Sequence, residues 1–348
     1  MPLTCTDWLA VLEPWLTGPL FDPNALTRLR SLARNLPGDC QGTLEVRLAP
    51  GASPVDLSLR FLTTPQALGM AARLPPSPAR RLLSLWTEPE GPLAPVRAIW
   101  LEFDLDRKLP GEGIPPPVIC AKLPQDIDLG WLTDTLLPAL DGRPPSSRTR
   151  DLILSCLGAM PASAHLLYVF SLRARGSDAV RLEIFVVKPD QILAYLRDVA
   201  PQAVSPVTEV ASLFEGVERL HLSFDVTEEI LPRIGLEGSF PRQPSHEPRW
   251  ENLFRRLVEQ GLCSPEKWDA VLAWPGYDTF WTAPERWPIA EMGPLGFCIR
   301  ALSHLKVVCQ PDRAPEAKAY LVFGPHESSS LPGALGKGER QSQLPGQL

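Results

Sequence analysis

The chain has 348 residues, 44% of them hydrophobic and 21% charged, which is enough to bury a core and excludes a wholly disordered polypeptide. Its net charge of -6 argues against non-specific nucleic-acid binding, which depends on excess Lys and Arg, and no apolar run approaches the roughly 18 residues of a membrane helix. Residues 1–15 carry Asp7 and Glu13 and lack the basic start of a signal peptide, so a soluble, cytoplasmic protein without nucleic-acid or membrane partners is expected.

Helical spacing of apolar residues predicts helices over 7–17 and 24–36. Residues 43–48 and 55–62 then alternate strictly, with Leu44, Val46 and Leu48 against Thr43, Glu45 and Arg47, and with Leu57, Leu59 and Phe61 against Asp56, Ser58 and Arg60. The proline- and glycine-bearing segment 49–54 joins them as a hairpin. The same order returns four times: helices 65–73 and 76–86 before strands 97–105 and 117–123; helices 127–140 and 147–160 before strands 165–173 and 180–188; helices 190–199 and 206–214 before strands 217–226 and 232–240; helices 249–260 and 264–273 before strands 303–310 and 316–323. An irregular insertion rich in Trp, Tyr and Phe precedes the last strand pair, and reads either as a cap on the barrel end or as a lid over a pocket. The 40 prolines punctuate the segments, and the 7 scattered cysteines, without a CxxC, are expected to be reduced and buried. The segment 325–348 reads as a disordered tail behind a single domain 1–324.

Five helix-helix-strand-strand units cannot form a doubly wound parallel sheet. They predict an α+β architecture, a closed ten-stranded antiparallel barrel with the helices outside, because closure removes every strand edge and the helices cover the apolar outer face. The polar face of each strand then points into the lumen. That face carries Glu45, Arg60, Trp100, Arg173, Arg181, Glu183, Phe185, His221, Asp225, Glu237, His304, Lys306, Lys318 and Tyr320, together with further carboxylates at Asp56, Glu102 and Asp104. Walker A, GxGxxG, GxSxG and HExxH motifs are absent from the sequence.

The five-unit layout, with the hairpins GTLEVRLAPGASPVDLSLRF (42–61), LLYVFSLRARGSDAVRLEIFVVKPDQI (166–192) and LHLSFDVTEEILPRIGLEGSF (220–240), resembles the prenyltransferase barrel, or ABBA fold, of aromatic prenyltransferases. In length and hairpin texture it is most similar to the peptide-modifying prenyltransferases of cyanobactin pathways. The resemblance implies transfer of a prenyl group from an allylic diphosphate to a peptide side chain or small aromatic acceptor. By position it implies Glu45 as the catalytic carboxylate and Arg60 as a diphosphate ligand. Arg173, Arg181, Lys306, Lys318 and Tyr320 are the further diphosphate candidates, and Trp100, Phe185, His221, Glu237 and His304 the pocket candidates.

No tightly bound cofactor is expected, with Mg2+ as a candidate companion of the diphosphate; a metal set of His221, Asp225 and Glu237 is a further option. Arg60, Lys306 and Lys318 are expected on one wall once the barrel closes. The chain departs from the family at Glu183, where a second basic residue is usual, and in its many lumen carboxylates. These suit a metal-assisted diphosphate site, a cationic acceptor, or a barrel that has lost diphosphate chemistry and binds or otherwise modifies a peptide.

Overall fold

The computed structural model describes residues 3–51, 54–105, 113–186 and 188–326. Its strands are β1 (Gln41–Arg47), β2 (Val55–Phe61), β3 (Ala98–Phe103), β4 (Val118–Lys122), β5 (His165–Ser171), β6 (Val180–Val186), β7 (Arg219–Val226), β8 (Ile230–Ser239), β9 (Gly276–Thr279), β10 (Phe297–Gln310) and β11 (Arg313–His326). Neighbours pair antiparallel from β1 to β8, β8 continues to β10, β10 pairs with β11, and β11 returns to β1 from Gly42↔Phe323 to Arg47↔Lys318. The ten-stranded barrel is therefore closed, as the repeat predicted. Short β9 is an addition within the Trp-rich insertion and, among the described residues, pairs with the start of β10 alone.

A helical unit precedes each strand pair, for instance Pro23–Ala33 before β1 and Pro78–Trp86 before β3. Proline occupies the first turn of both, where its missing N–H is not needed, and the Asp22 and Ser77 side chains accept hydrogen bonds from the backbone at those helix starts. Much of the proline-rich punctuation is thus helix initiation. The core lies between barrel and helices: Leu44, Leu57 and Phe103 are 0–1% exposed on the outer face of their strands and belong to one cluster with Leu29, Met70 and Leu82. All seven cysteines are buried and free. Among the described residues no helix is long and apolar enough to cross a membrane.

Several boundaries move, among them the start of β10, which begins at Phe297 and not at 303. β11 continues to His326, past the expected domain end at 324, and 327–348, the rest of the expected tail, lies outside the described residues. β5 ends at Ser171, where the chain enters the 3-10 turn Arg173–Arg175.

Candidate functional site

Ten strands leave room that eight would fill, and the lumen is a chamber of about 820 Å³. Every candidate residue named from the sequence lines it except Arg173. Arg173 instead donates to Asp141 at 2.6 Å and pairs with Asp178 at 3.4 Å. The cause is a bulge in β5 between Leu166 and Tyr168, which inserts one residue and reverses the inward face of the rest of the strand. Ser171 thereby turns outward to donate to Asp141 at 2.9 Å, and Tyr168 and Phe170, which simple alternation places outside, line the chamber. With Trp100 they form an aromatic wall: Trp100 and Tyr168 meet edge-on at 5.3 Å between ring centroids, and Tyr168 and Phe170 at 6.4 Å. The Trp-rich insertion is a cap and not a lid, since none of its residues lines the chamber; Trp274 and Trp287 are buried, donating to the Val322 and Gly293 carbonyls, while Trp281 is 74% exposed.

Glu45 stands at mid-height. Lys318 Nζ donates to its Oε1 at 2.8 Å and Tyr320 Oη to its Oε2 at 2.6 Å. Burial alone raises its pKa, but the Lys318 and Arg47 charges with those two hydrogen bonds hold the carboxyl well below the usual range, so it is ionised at neutral pH. Tyr320 is pushed up by burial and by the Glu45 charge, which keeps its proton in place to donate.

Arg60, Lys306 and Lys318 share the wall β2–β1–β11–β10 that closure creates, but stand at opposite ends of it. Lys306 and Lys318 are cross-strand partners, but Arg60 pairs in register with Gln41, and Lys318 with Arg47 six residues along β1, a separation of about 20 Å. The two lysines are engaged with carboxylates, Lys318 with Glu45 and Lys306 with Glu237. Arg181 is likewise committed, donating bidentately to Asp225 at 2.6 and 3.0 Å.

At that end of the chamber the remaining acids are matched in the same way. Arg47 meets Asp56 at 2.6 Å, and Arg175 holds Asp104 at 2.7 and 2.8 Å and reaches Glu102 at 3.4 Å. Asp56 nevertheless titrates up at about 6, through burial and then the nearby Glu45 charge.

The opposite end carries cations facing one another. Arg60 lies over the Trp100 ring at 5.0 Å and donates to Gln41 at 3.3 Å. Lys122 on β4 makes no ion pair among the described residues, and its pKa is lowered by burial and then by the charges of Arg60 and Arg219. Lys122 and Arg219 were absent from the sequence-based candidates although both follow the inward alternation of their strands; a check of β4 and of the first residue of β7 would have found them.

Between the ends, Glu183, His221 and Glu237 converge from β6, β7 and β8. His221 Nδ1 is 2.8 Å from Glu183, His304 Nε2 is 3.3 Å from Glu237, and the His304 ring stacks on Tyr320 at 4.0 Å. Glu183, the departure from the family pattern, is buried, and its pKa is raised by burial and by Glu237. Asp225 is held by Arg181 and is not part of this group, so the metal set His221, Asp225 and Glu237 is not assembled. Phe185 lies between His165 and His221, at centroid distances of 5.2 and 5.7 Å.

No known family model matches the chain, and no curated protein matches its sequence. Solved structures do resemble it. One is 5-dimethylallyl tryptophan synthase from Streptomyces coelicolor, solved in complex with DMASPP and Trp, at 14% identity and TM-score 0.49 over 99% of this chain and 100% of that one. Another is a 6-dimethylallyl tryptophan synthase, at 13% identity and TM-score 0.49 over 91% and 94%. A third is the prenyltransferase PriB with L-tryptophan and dimethylallyl thiolodiphosphate, at 15% identity and TM-score 0.47 over 91% and 94%.

Proposed function

We propose that the chamber transfers a prenyl group from an allylic diphosphate to a small aromatic acceptor or a peptide side chain. The observation that carries this reading is what the lumen brings together: a cationic belt of Arg60, Lys122 and Arg219, an aromatic wall whose Trp100 and Tyr168 are the strand partners of Arg60 and Lys122, and the ionised Glu45 farther along β1. Gln41 at the belt and Glu45 are four residues apart, about 13 Å. That span suits a diphosphate, a short prenyl chain and one aromatic ring in series.

The belt would hold the diphosphate and stabilise it as it leaves with the electrons of the broken carbon–oxygen bond. Aromatic faces would shield the allylic cation until an acceptor carbon supplies the pair for the new carbon–carbon bond. The resulting cationic ring would lose its proton to Glu45. So strongly acidic a ring needs only a weak base, which reconciles the role with the depressed pKa of Glu45. The charged groups that act on Lys122 are Arg60 and Arg219, so the belt would meet the diphosphate with several cations at once.

A second reading has its own observation. Arg181, Lys306 and Lys318 are all committed to carboxylates, as befits a barrel that binds a peptide or other ligand without diphosphate chemistry. Thermal shift and calorimetry with dimethylallyl, geranyl and farnesyl diphosphate separate the two, since a ligand of the native state raises its apparent stability. Saturable binding that Arg60→Ala weakens supports transfer. Absence of binding to all three, with and without Mg2+, leaves the second reading.

A further inference from the structure

We propose that the chamber contains a divalent transition-metal site formed by Glu183 of β6, His221 of β7 and Glu237 of β8, with His304 of β10 as the fourth ligand. The site is independent of the prenyl-transfer reading, because it uses none of the belt residues and is tested without turnover.

Strand pairing brings the ligands together. His221 lies directly opposite Glu237 in the β7–β8 ladder, and Glu183 is the partner of Ser223, two residues along β7 from His221. Ligand atoms of the three all lie within 4.8 Å of one another. His304 enters from the bulge of β10 between Leu302 and Leu305, which turns an additional residue toward the lumen, and its Nε2 is 3.3 Å from Glu237 Oε2. Tetrahedral coordination with metal–ligand distances of about 2.0–2.1 Å separates the donor atoms by about 3.3–3.4 Å. The His304–Glu237 pair already has that spacing, the His221–Glu183 pair at 2.8 Å needs to open by a fraction of an ångström, and His304, which is outside the set of three mutually within 4.8 Å, closes on the other two ligands when the ion binds.

The supporting contacts are those a metal site needs. Lys306 takes Oε1 of Glu237 and leaves Oε2 turned toward His304. Glu183 and Glu237 are 4% and 5% exposed, so two carboxylates are buried close together, an arrangement that a bound cation favours. Two imidazoles and two carboxylates, without a thiolate, suit Zn2+, Mn2+ or Fe2+. Both imidazoles are partly exposed on the chamber side, which gives an ion a way in and a bound ion access to the chamber.

The test is titration of chelator-treated full-length protein with Co2+, followed by visible absorption and calorimetry, and with Zn2+ by calorimetry. The proposal expects one ion per chain, with the intense visible bands of four-coordinate Co2+. It also expects affinity to fall by at least about a hundredfold in His221→Ala and in Glu183→Gln, with no change in His246→Ala, an exposed histidine elsewhere. Two results overturn it: no stoichiometric binding by the wild-type protein, or binding that these two chamber variants leave intact. The wild-type stoichiometry and Co2+ spectrum decide the matter even if a variant fails to fold.

Discussion

The two ends of the chamber use the same residue types in opposite ways. At one end Arg47, Arg175 and Arg181 each hold a carboxylate, and two of the three do so bidentately. At the other, Lys122 has Arg60 and Arg219 as its charged neighbours. The paired end is satisfied by the chain itself and ties neighbouring strands together. The cationic end gathers like charges around Lys122, an arrangement that an anion would favour. An inventory of lumen cations does not tell these apart; their partners do.

The largest expected effect belongs to the paired end. Arg181→Ala removes the bidentate partner of buried Asp225 and leaves it only Arg233 at 4.0 Å, and should destabilise the fold by about 3 kcal/mol in chemical denaturation. Retention of wild-type stability would show that this pair does not hold the barrel. The same pair has a pH signature. Burial raises the Asp225 pKa, but Arg181 outweighs it and the net shift is downward, so the pair's stabilisation is present above the ordinary carboxylate range and lost as pH falls through the lowered value. Asp225→Asn should therefore flatten the loss of stability below about pH 4, compared with wild type over the same range.

Between the ends, Glu45→Gln should reduce turnover about a hundredfold or more while leaving diphosphate binding nearly unchanged, as read from single-turnover kinetics and calorimetry. Unchanged turnover would remove Glu45 from the proton transfer. At the cationic end, Arg60→Ala should weaken diphosphate binding about ten- to a hundredfold. Lys122→Met sharpens the contrast: it should also weaken the anion, yet leave the melting temperature of the ligand-free protein unchanged or raised, because it removes a like-charge neighbour. A marked drop in stability would mean that Lys122 is a structural cation like Arg181. The smallest effect is expected outside both ends, where Trp281→Ser on the exposed cap should change stability by less than about 0.5 kcal/mol.

By itself the sequence determined the closed barrel, the five repeated units and the sense of the alternation. Leu44, Leu57 and Phe103 face the helices and Glu45, Arg60 and Tyr320 face the lumen, because a period of two is local and survives as long as a strand runs regularly. A bulge ended that legibility in β5, where it brought Tyr168 and Phe170 inward and turned Ser171 and Arg173 away, whereas His304, beside the bulge of β10, lines the chamber as its sequence position implied. Whether a strand takes an additional residue depends on the register of both neighbours, which no single strand records. Tertiary structure also decided which cation meets which carboxylate: the lumen residues of one wall are hundreds of positions apart in the chain, as Glu45 and Lys318 are, and only barrel closure sets their height and distance.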